Sequence, residues 1–217
     1  MLRAMIAKEL RETYWIALAA LGIYVLCTLE LMGYNLKSMV YMERHVIPFA
    51  SGEFTSMFGS ISVCLALALG FRQALWESFR GTWPVLLHRP VSRWWMVGVK
   101  LSAGLGLYLA TAAAPILLYA GRAATPGTHA SPFQWSMTLD TWQIWLAITG
   151  LYLGAFLVGI RPARWFGSRL LPLVGAGILV VVLAVLDWWQ WSLLGVLAVD
   201  GCLVATILFV ASSRDYS

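Results

Sequence analysis

The chain has 217 residues, of which 60% are hydrophobic and only 12% are charged, and its mean hydropathy is +0.77. A soluble domain of this length needs more charge to cover its surface, so the composition excludes an ordinary soluble protein and indicates an integral membrane protein. The formal net charge is +5 at pH 7. Because a basic chain can bind nucleic acid, the positions of the cations have to be considered separately.

The first thirteen residues are moderately amphipathic and precede the first long apolar stretch. Leu2, Ile6 and Leu10 share one helical face, and Glu9 falls on that same apolar face. We predict that 1–13 is an amphipathic helix lying in the membrane interface. The alternative is a helical extension of the first span.

Six apolar stretches follow, and the clearer ones reach the ~20 residues that a helix needs to cross the hydrocarbon core. We expect transmembrane helices at about 14–33, 54–71, 95–120, 142–160, 169–186 and 190–211. Continuous apolar runs favour helices, because in lipid a helix satisfies all of its own backbone groups. The predicted fold is therefore an all-α integral membrane protein, with one six-span transmembrane domain over 14–211.

Lysine and arginine are distributed unevenly between the connections. Twelve of the fifteen lie before span one, around the connections from span two to three and from four to five, or after span six. The opposite side holds only Lys37, Arg44 and Arg122. This asymmetry is the positive-inside pattern, and it predicts that both termini, including the tail 212–217, are cytoplasmic. Since topology accounts for the basic charge, we predict no nucleic-acid partner.

The connection between spans two and three differs from a flexible linker. Thr82 can cap a short helix whose first turn tolerates Pro84, and Pro90 prevents that helix from continuing. The pattern predicts a short rigid helix at 82–90 on the cytoplasmic side. Its apolar side chains and basic end suit a groove on another protein; they are Val85, Leu86 and Leu87, followed by His88 and Arg89. The alternative is a basic interfacial anchor that only sets topology.

The residues around this helix also follow an ordered pattern. They are Glu77, Gly81-Thr82, Leu86-Leu87, Pro90-Val91-Ser92-Arg93 and Lys100. The pattern E…GT…LL…PVSR…K resembles that of the membrane-spanning (permease) subunit of type-2 ABC exporters. The opening Ala7-Lys-Glu-Leu-Arg-Glu12 is similar to the N-terminal interfacial helix of the same family, and six spans with both ends inside match its topology.

The resemblance implies a permease of the bacterial inner (plasma) membrane. Segment 82–90 would be the coupling helix that docks into a separate P-loop ATPase, and that ATPase would bind ATP and Mg. The ATPase-coupling residues implied are Glu77, Thr82, Val85, Leu86, Leu87, His88, Arg89, Pro90 and Arg93. A second permease, of the same or a related chain, would complete the pathway through the lipid bilayer. The alternative is a non-transporting membrane scaffold or regulatory subunit that docks an ATPase.

The outer gate and the cargo do not follow from this resemblance. Many relatives place re-entrant helices between spans five and six, whereas here the turn 187–190 has only four residues. Drug, lipid, peptide and polysaccharide exporters share one architecture, so the sequence does not identify the cargo.

Two acidic residues fall within the predicted spans. Asp200 lies near the middle of span six, where an ionised carboxylate costs ~2.5–3.5 kcal/mol. It either lines a polar pathway or proton site, or is a protonated carboxyl hydrogen-bonded to a neighbouring helix. Lys100 is the nearest cation by depth, although it lies ~8 Å nearer the cytoplasmic side. Glu30 is near the outer end of span one and is a pathway candidate or an interfacial residue.

No catalytic motif is found in the chain. It has no GxxxxGK[ST], no HExxH and no GxSxG, and its three histidines fall in three different connections. The three cysteines fall inside predicted spans without paired spacing, which favours buried hydrophobes over a disulfide or a metal site. We therefore predict no enzymatic activity, no metal and no cofactor in this chain.

Overall fold

The computed structural model describes residues 2–35, 40–41, 47–80, 92–127, 132–161, 166–185 and 189–213. Its helices are α1 (Leu2–Leu31), α2 (Glu53–Arg80), α3 (Arg93–Ala123), α4 (Leu139–Ala147), α5 (Thr149–Ile160), α6 (Phe166–Val185) and α7 (Trp189–Ser213), with a 3₁₀ turn at Trp135–Thr138. A two-residue strand β1 (Tyr34–Asn35) pairs antiparallel with β2 (Val40–Tyr41).

Within the described ranges, five helical stretches are long and apolar enough to cross a membrane. They are Arg3–Leu31, Glu53–Trp76, Arg93–Ala123, Trp135–Ile160 and Gln190–Ser213. The predicted fifth span corresponds to α6, whose apolar part Gly167–Val182 is shorter than the others. The chain is thus a helical, multi-pass membrane protein by length and composition.

The fourth span is divided at one residue, whose own amide and carbonyl groups remain hydrogen-bonded. Ile148 separates α4 from α5, and its amide still donates to the Ile144 carbonyl at 3.0 Å. Its own carbonyl accepts from Leu151 at 3.0 Å and from Tyr152 at 3.3 Å. Because both backbone groups of Ile148 remain paired, the irregular turn is tolerated inside the bundle.

The segment 1–13 and the first span are not separated. One uninterrupted helix, α1, begins at Leu2 and ends at Leu31, without a boundary at residue 13. Its buried face is largely polar and consists of Glu9, Thr13, Ala17, Ala20, Tyr24 and Thr28. Its opposite face exposes Trp15, Leu18, Ile23 and Leu26. Apolar side chains can face lipid without cost, so the polar ones turn towards the other helices.

Helix α5 is the centre of the bundle, because all twelve of its residues are buried. Glycines allow its neighbours to approach closely. A Cβ on Gly159 would lie 2.2 Å from the Cβ of Ala74 in α2, and one on Gly154 would lie 3.2 Å from the Cβ of Ala176 in α6. The small residues of span four therefore serve packing inside the bundle. In span three, by contrast, a Cβ on Gly106 would meet nothing within 4 Å.

Candidate functional site

Most of the predicted ATPase-coupling residues lie outside the described part of the chain. These are Thr82, Val85, Leu86, Leu87, His88, Arg89 and Pro90, together with the side chain of Glu77 in α2. Arg93 is the first residue of α3. Ser92 occupies the N-cap position of α3, and its hydroxyl makes no capping hydrogen bond.

A hydrogen bond joins the two helices that flank segment 81–91. The side-chain amide of Gln73 in α2 donates to the carbonyl oxygen of Lys100 in α3 at 3.1 Å. Gln73 lies seven residues before the end of α2, and Lys100 lies seven residues after the start of α3. Both positions are thus ~10 Å along their helices from the segment.

The ammonium of Lys100 forms a buried ion pair with Glu9 of α1. Its Nζ lies 2.8 Å from Oε1 of Glu9, and each side chain is only 6% exposed. Lys100, the nearest cation to Asp200 by depth, therefore pairs with Glu9 rather than with Asp200. The pair also explains why Glu9 interrupts the apolar face of the first segment, since this face of α1 packs against α3.

Tyr152 of α5 extends this arrangement to a fourth helix. Its hydroxyl donates to Oε1 of Gln73 at 2.6 Å and lies 3.3 Å from the carbonyl oxygen of Leu101. Space for the contact depends on Gly104, because a Cβ there would lie 2.2 Å from Oε1 of Gln73 and 2.3 Å from the hydroxyl of Tyr152. We call Glu9, Gln73, Lys100 and Tyr152 the four-helix polar network.

Sequence reasoning missed this network, although two signals for it were present. Glu9 is an acidic residue on an apolar helical face, and Lys100 is a lysine inside a predicted span. Charged groups within spans usually face the bundle and pair with one another, which could have linked them. Gln73 and Tyr152 carry no comparable signal, because neither side chain is charged.

Asp200 lies between α7 and α5, apart from the network. Its carboxyl group is hydrogen-bonded to the hydroxyl of Thr149, and that hydroxyl also donates to the carbonyl oxygen of Leu146 at 2.5 Å. The hydroxyl of Thr149 thus lies between the carboxyl group of Asp200 and the carbonyl oxygen of Leu146. Gly150 makes room, since a Cβ there would lie 3.3 Å from Oδ1 of Asp200.

Glu30 is not brought together with Asp200. It is exposed in the last turn of α1, where its backbone carbonyl accepts from the amide of Gly33 at 3.1 Å. An exposed position at the end of a helix is the position expected if Glu30 is an interfacial residue rather than part of a pathway.

Two arginines hold the other end of α5 against α6. Nε of Arg169 donates to the carbonyl of Val158 at 2.8 Å, and its Nη2 donates to that of Gly159 at 3.3 Å. Arg161 donates from Nη1 to the carbonyl of Ser168 at 3.1 Å. A cation suits the position of Arg169, because the last carbonyls of α5 lack helical backbone partners and carry partial negative charge.

Among the described residues, no three His, Cys, Asp or Glu side chains are grouped so that they could hold a metal ion. Comparison with protein-family models, with curated proteins and with solved structures finds no match to this chain. Its function therefore has to be inferred from its own residues and their geometry.

Proposed function

We propose that this chain is the permease subunit of a type-2 ABC exporter in a bacterial inner membrane. In this proposal the chain crosses the membrane six times, with α6 as the fifth span and both termini in the cytoplasm. It forms the translocation pathway with a second permease, and a separate P-loop ATPase binds ATP and Mg. The chain itself has no enzymatic activity.

The observation that carries the proposal is the position of the motif between two helices that are tied together. The ordered residues Gly81-Thr82 to Arg93 connect α2 to α3, and the Gln73–Lys100 hydrogen bond joins these helices ~10 Å further on. A partner that moves segment 81–91 would thus move α2 and α3 as a pair. The resemblance to the exporter family supplies the identity of that partner.

The rest of the four-helix polar network extends such a movement into the bundle. Lys100 connects α3 to α1 through Glu9, and Tyr152 connects α2 to the fully buried α5. Packed helices with buried, mutually bonded polar groups move as rigid bodies rather than deform. A push on the cytoplasmic segment would therefore displace four helices together, as alternating access requires.

The partner is tested by purifying the tagged chain from its native membrane in mild detergent and identifying copurified proteins by mass spectrometry. We expect a P-loop ATPase in stoichiometric amount. Reconstituted complexes then compare ATP turnover between the wild type and the double variant Arg89→Glu/Arg93→Glu. Charge reversal in the motif should reduce coupled turnover at least severalfold while the complex still assembles.

Arg3→Glu/Arg214→Glu is the matched control, because it reverses two charges on the same predicted side outside the motif, and Arg3 is exposed. Absence of an ATPase from the native complex would contradict the proposal. Equal loss of turnover in the two double variants would also count against it, since a nonspecific effect of charge would then suffice. An ATPase that binds while the reconstituted pair moves no solute would favour the scaffold alternative.

A further inference from the structure

A cavity of about 220 Å³ lies between α4 and α7, apart from the four-helix polar network. Its walls are formed mainly by apolar side chains of both helices: Leu139, Trp142 and Leu146 of α4, and Leu193 and Val196 of α7. We propose that this cavity binds one acyl chain of a membrane phospholipid. The proposal is independent of the exporter function.

The size of the cavity fits an alkyl segment. An engineered apolar cavity of ~150 Å³ already holds benzene. The volume of about 220 Å³ is larger, so it accommodates a segment of an alkyl chain. A dry apolar cavity of this size gains by being filled, because its lining atoms otherwise lack contact partners.

The surroundings of the cavity identify its occupant as lipid. Helix α7 is largely exposed beside it, with Leu194 and Leu197 each 58% exposed. In a membrane protein such a surface faces acyl chains. The cavity therefore opens beside the phase in which phospholipids are the most abundant molecules.

Two exposed tryptophans place the cavity at the right depth. Trp135 precedes α4 and Trp191 is in the first turn of α7, so both lie at the end of the bundle where the cavity begins. Exposed tryptophans at span ends mark the level of the lipid headgroups. A phospholipid with its headgroup at this level directs its acyl chains towards Leu146 and Val196, which line the cavity one to two turns further in.

One polar contact crosses the cavity wall. The amide of Gln143 in α4 donates to the hydroxyl of Ser192 in α7 at 2.7 Å. This hydrogen bond fixes the spacing of the two helices at the end where the lipid acyl chain would enter the cavity. The cavity is thus bounded by a hydrogen bond between its walls and does not depend on apolar packing alone.

The test uses the full-length protein in nanodiscs that contain a phospholipid with a diazirine in the middle of one acyl chain. After irradiation, labelled residues are mapped by mass spectrometry. We expect label on Leu139–Leu146 and Ser192–Val196 to exceed that on the exposed face of α6, 171–182, which contacts bulk lipid. Val196→Phe, which fills the cavity, should abolish the label at this site and leave it on α6.

Leu197→Phe is the control, because it adds a larger side chain on the exposed face next to the cavity. It should keep the label, and Leu146→Phe, which fills the cavity from the other helix, should lose it. Circular dichroism verifies that each variant is folded. Equal labelling of all exposed faces, or equal labelling of Val196→Phe and Leu197→Phe, would overturn the proposal. Absence of label together with cross-links between α7 helices would also overturn it, since a second copy of the chain would then cover the site.

Discussion

Removal of one partner of the Glu9–Lys100 ion pair should destabilise the protein strongly. The two side chains are 6% exposed and 2.8 Å apart, so Lys100→Met leaves a carboxylate in the bundle without its cation. Breaking a buried pair in this way typically costs ~3–5 kcal/mol. Glu9→Leu should cost a similar amount, because it removes the carboxylate that lies 2.8 Å from the buried ammonium of Lys100.

The double variant Glu9→Leu/Lys100→Met should regain most of this loss. It removes both charges together with their desolvation cost, and apolar replacement of a whole buried pair is often neutral or stabilising. A double-mutant cycle therefore predicts a coupling energy of several kcal/mol between the two positions. The free energy of unfolding is measured in mixed micelles with a rising fraction of denaturing detergent, followed by circular dichroism.

Lys8 and Glu12 provide an exposed pair in the same helix for comparison. Their charged atoms are 3.8 Å apart, and the side chains are 50% and 37% exposed. Lys8→Met should therefore cost less than ~1 kcal/mol. The ion pair does not stabilise the bundle as argued if Lys100→Met lowers the free energy of unfolding no more than Lys8→Met does. The same holds if the effects of Glu9→Leu and Lys100→Met on this free energy are additive in the double variant.

Three further outcomes are expected. Gly104→Ala should lower the free energy of unfolding by ~1–3 kcal/mol, because its Cβ would lie within 2.3 Å of two atoms of the four-helix polar network. Gly106→Ala is the control: its Cβ would meet nothing within 4 Å, so it should be neutral or slightly stabilising in the same assay. Asp200→Asn should leave stability within ~1 kcal/mol, because the amide oxygen can still accept a hydrogen bond from Thr149. Unchanged solute transport by this variant would exclude a pathway role. Arg169→Met should cost ~1–3 kcal/mol by removing two hydrogen bonds to the end of α5, and an unchanged melting temperature would contradict that account.

Secondary structure was largely readable from the sequence. Predicted spans at 54–71 and 95–120 fall inside α2 and α3, which extend further at both ends. A helix can continue beyond the apolar stretch into the interface, so hydropathy predicts the position of a helix more accurately than its first and last residues. The boundary predicted at residue 13 has no counterpart in α1, because an amphipathic segment and an apolar span can form one helix without a break.

The partners of the polar side chains could not be read in the same way. Depth along the helix made Lys100 the nearest cation to Asp200, but contact also depends on how each helix is rotated about its axis. In the structure Lys100 turns to Glu9, 91 residues away in sequence, and Asp200 turns to Thr149. Rotation is hard to derive from these spans, because apolar residues cover nearly every helical face and lipid accepts them as readily as the bundle does.

Composition and local pattern alone therefore predicted the membrane class, the helical content and the motif between the second and third spans. These follow from composition and from the need to satisfy the backbone in lipid. Packing between the helices sets which small and polar residues face inward. Gly154 packs inside the bundle whereas Gly106 faces outward, and Glu9 belongs to the buried face of α1. Such choices depend on packing between helices that are distant in sequence, and local pattern carries little information about it.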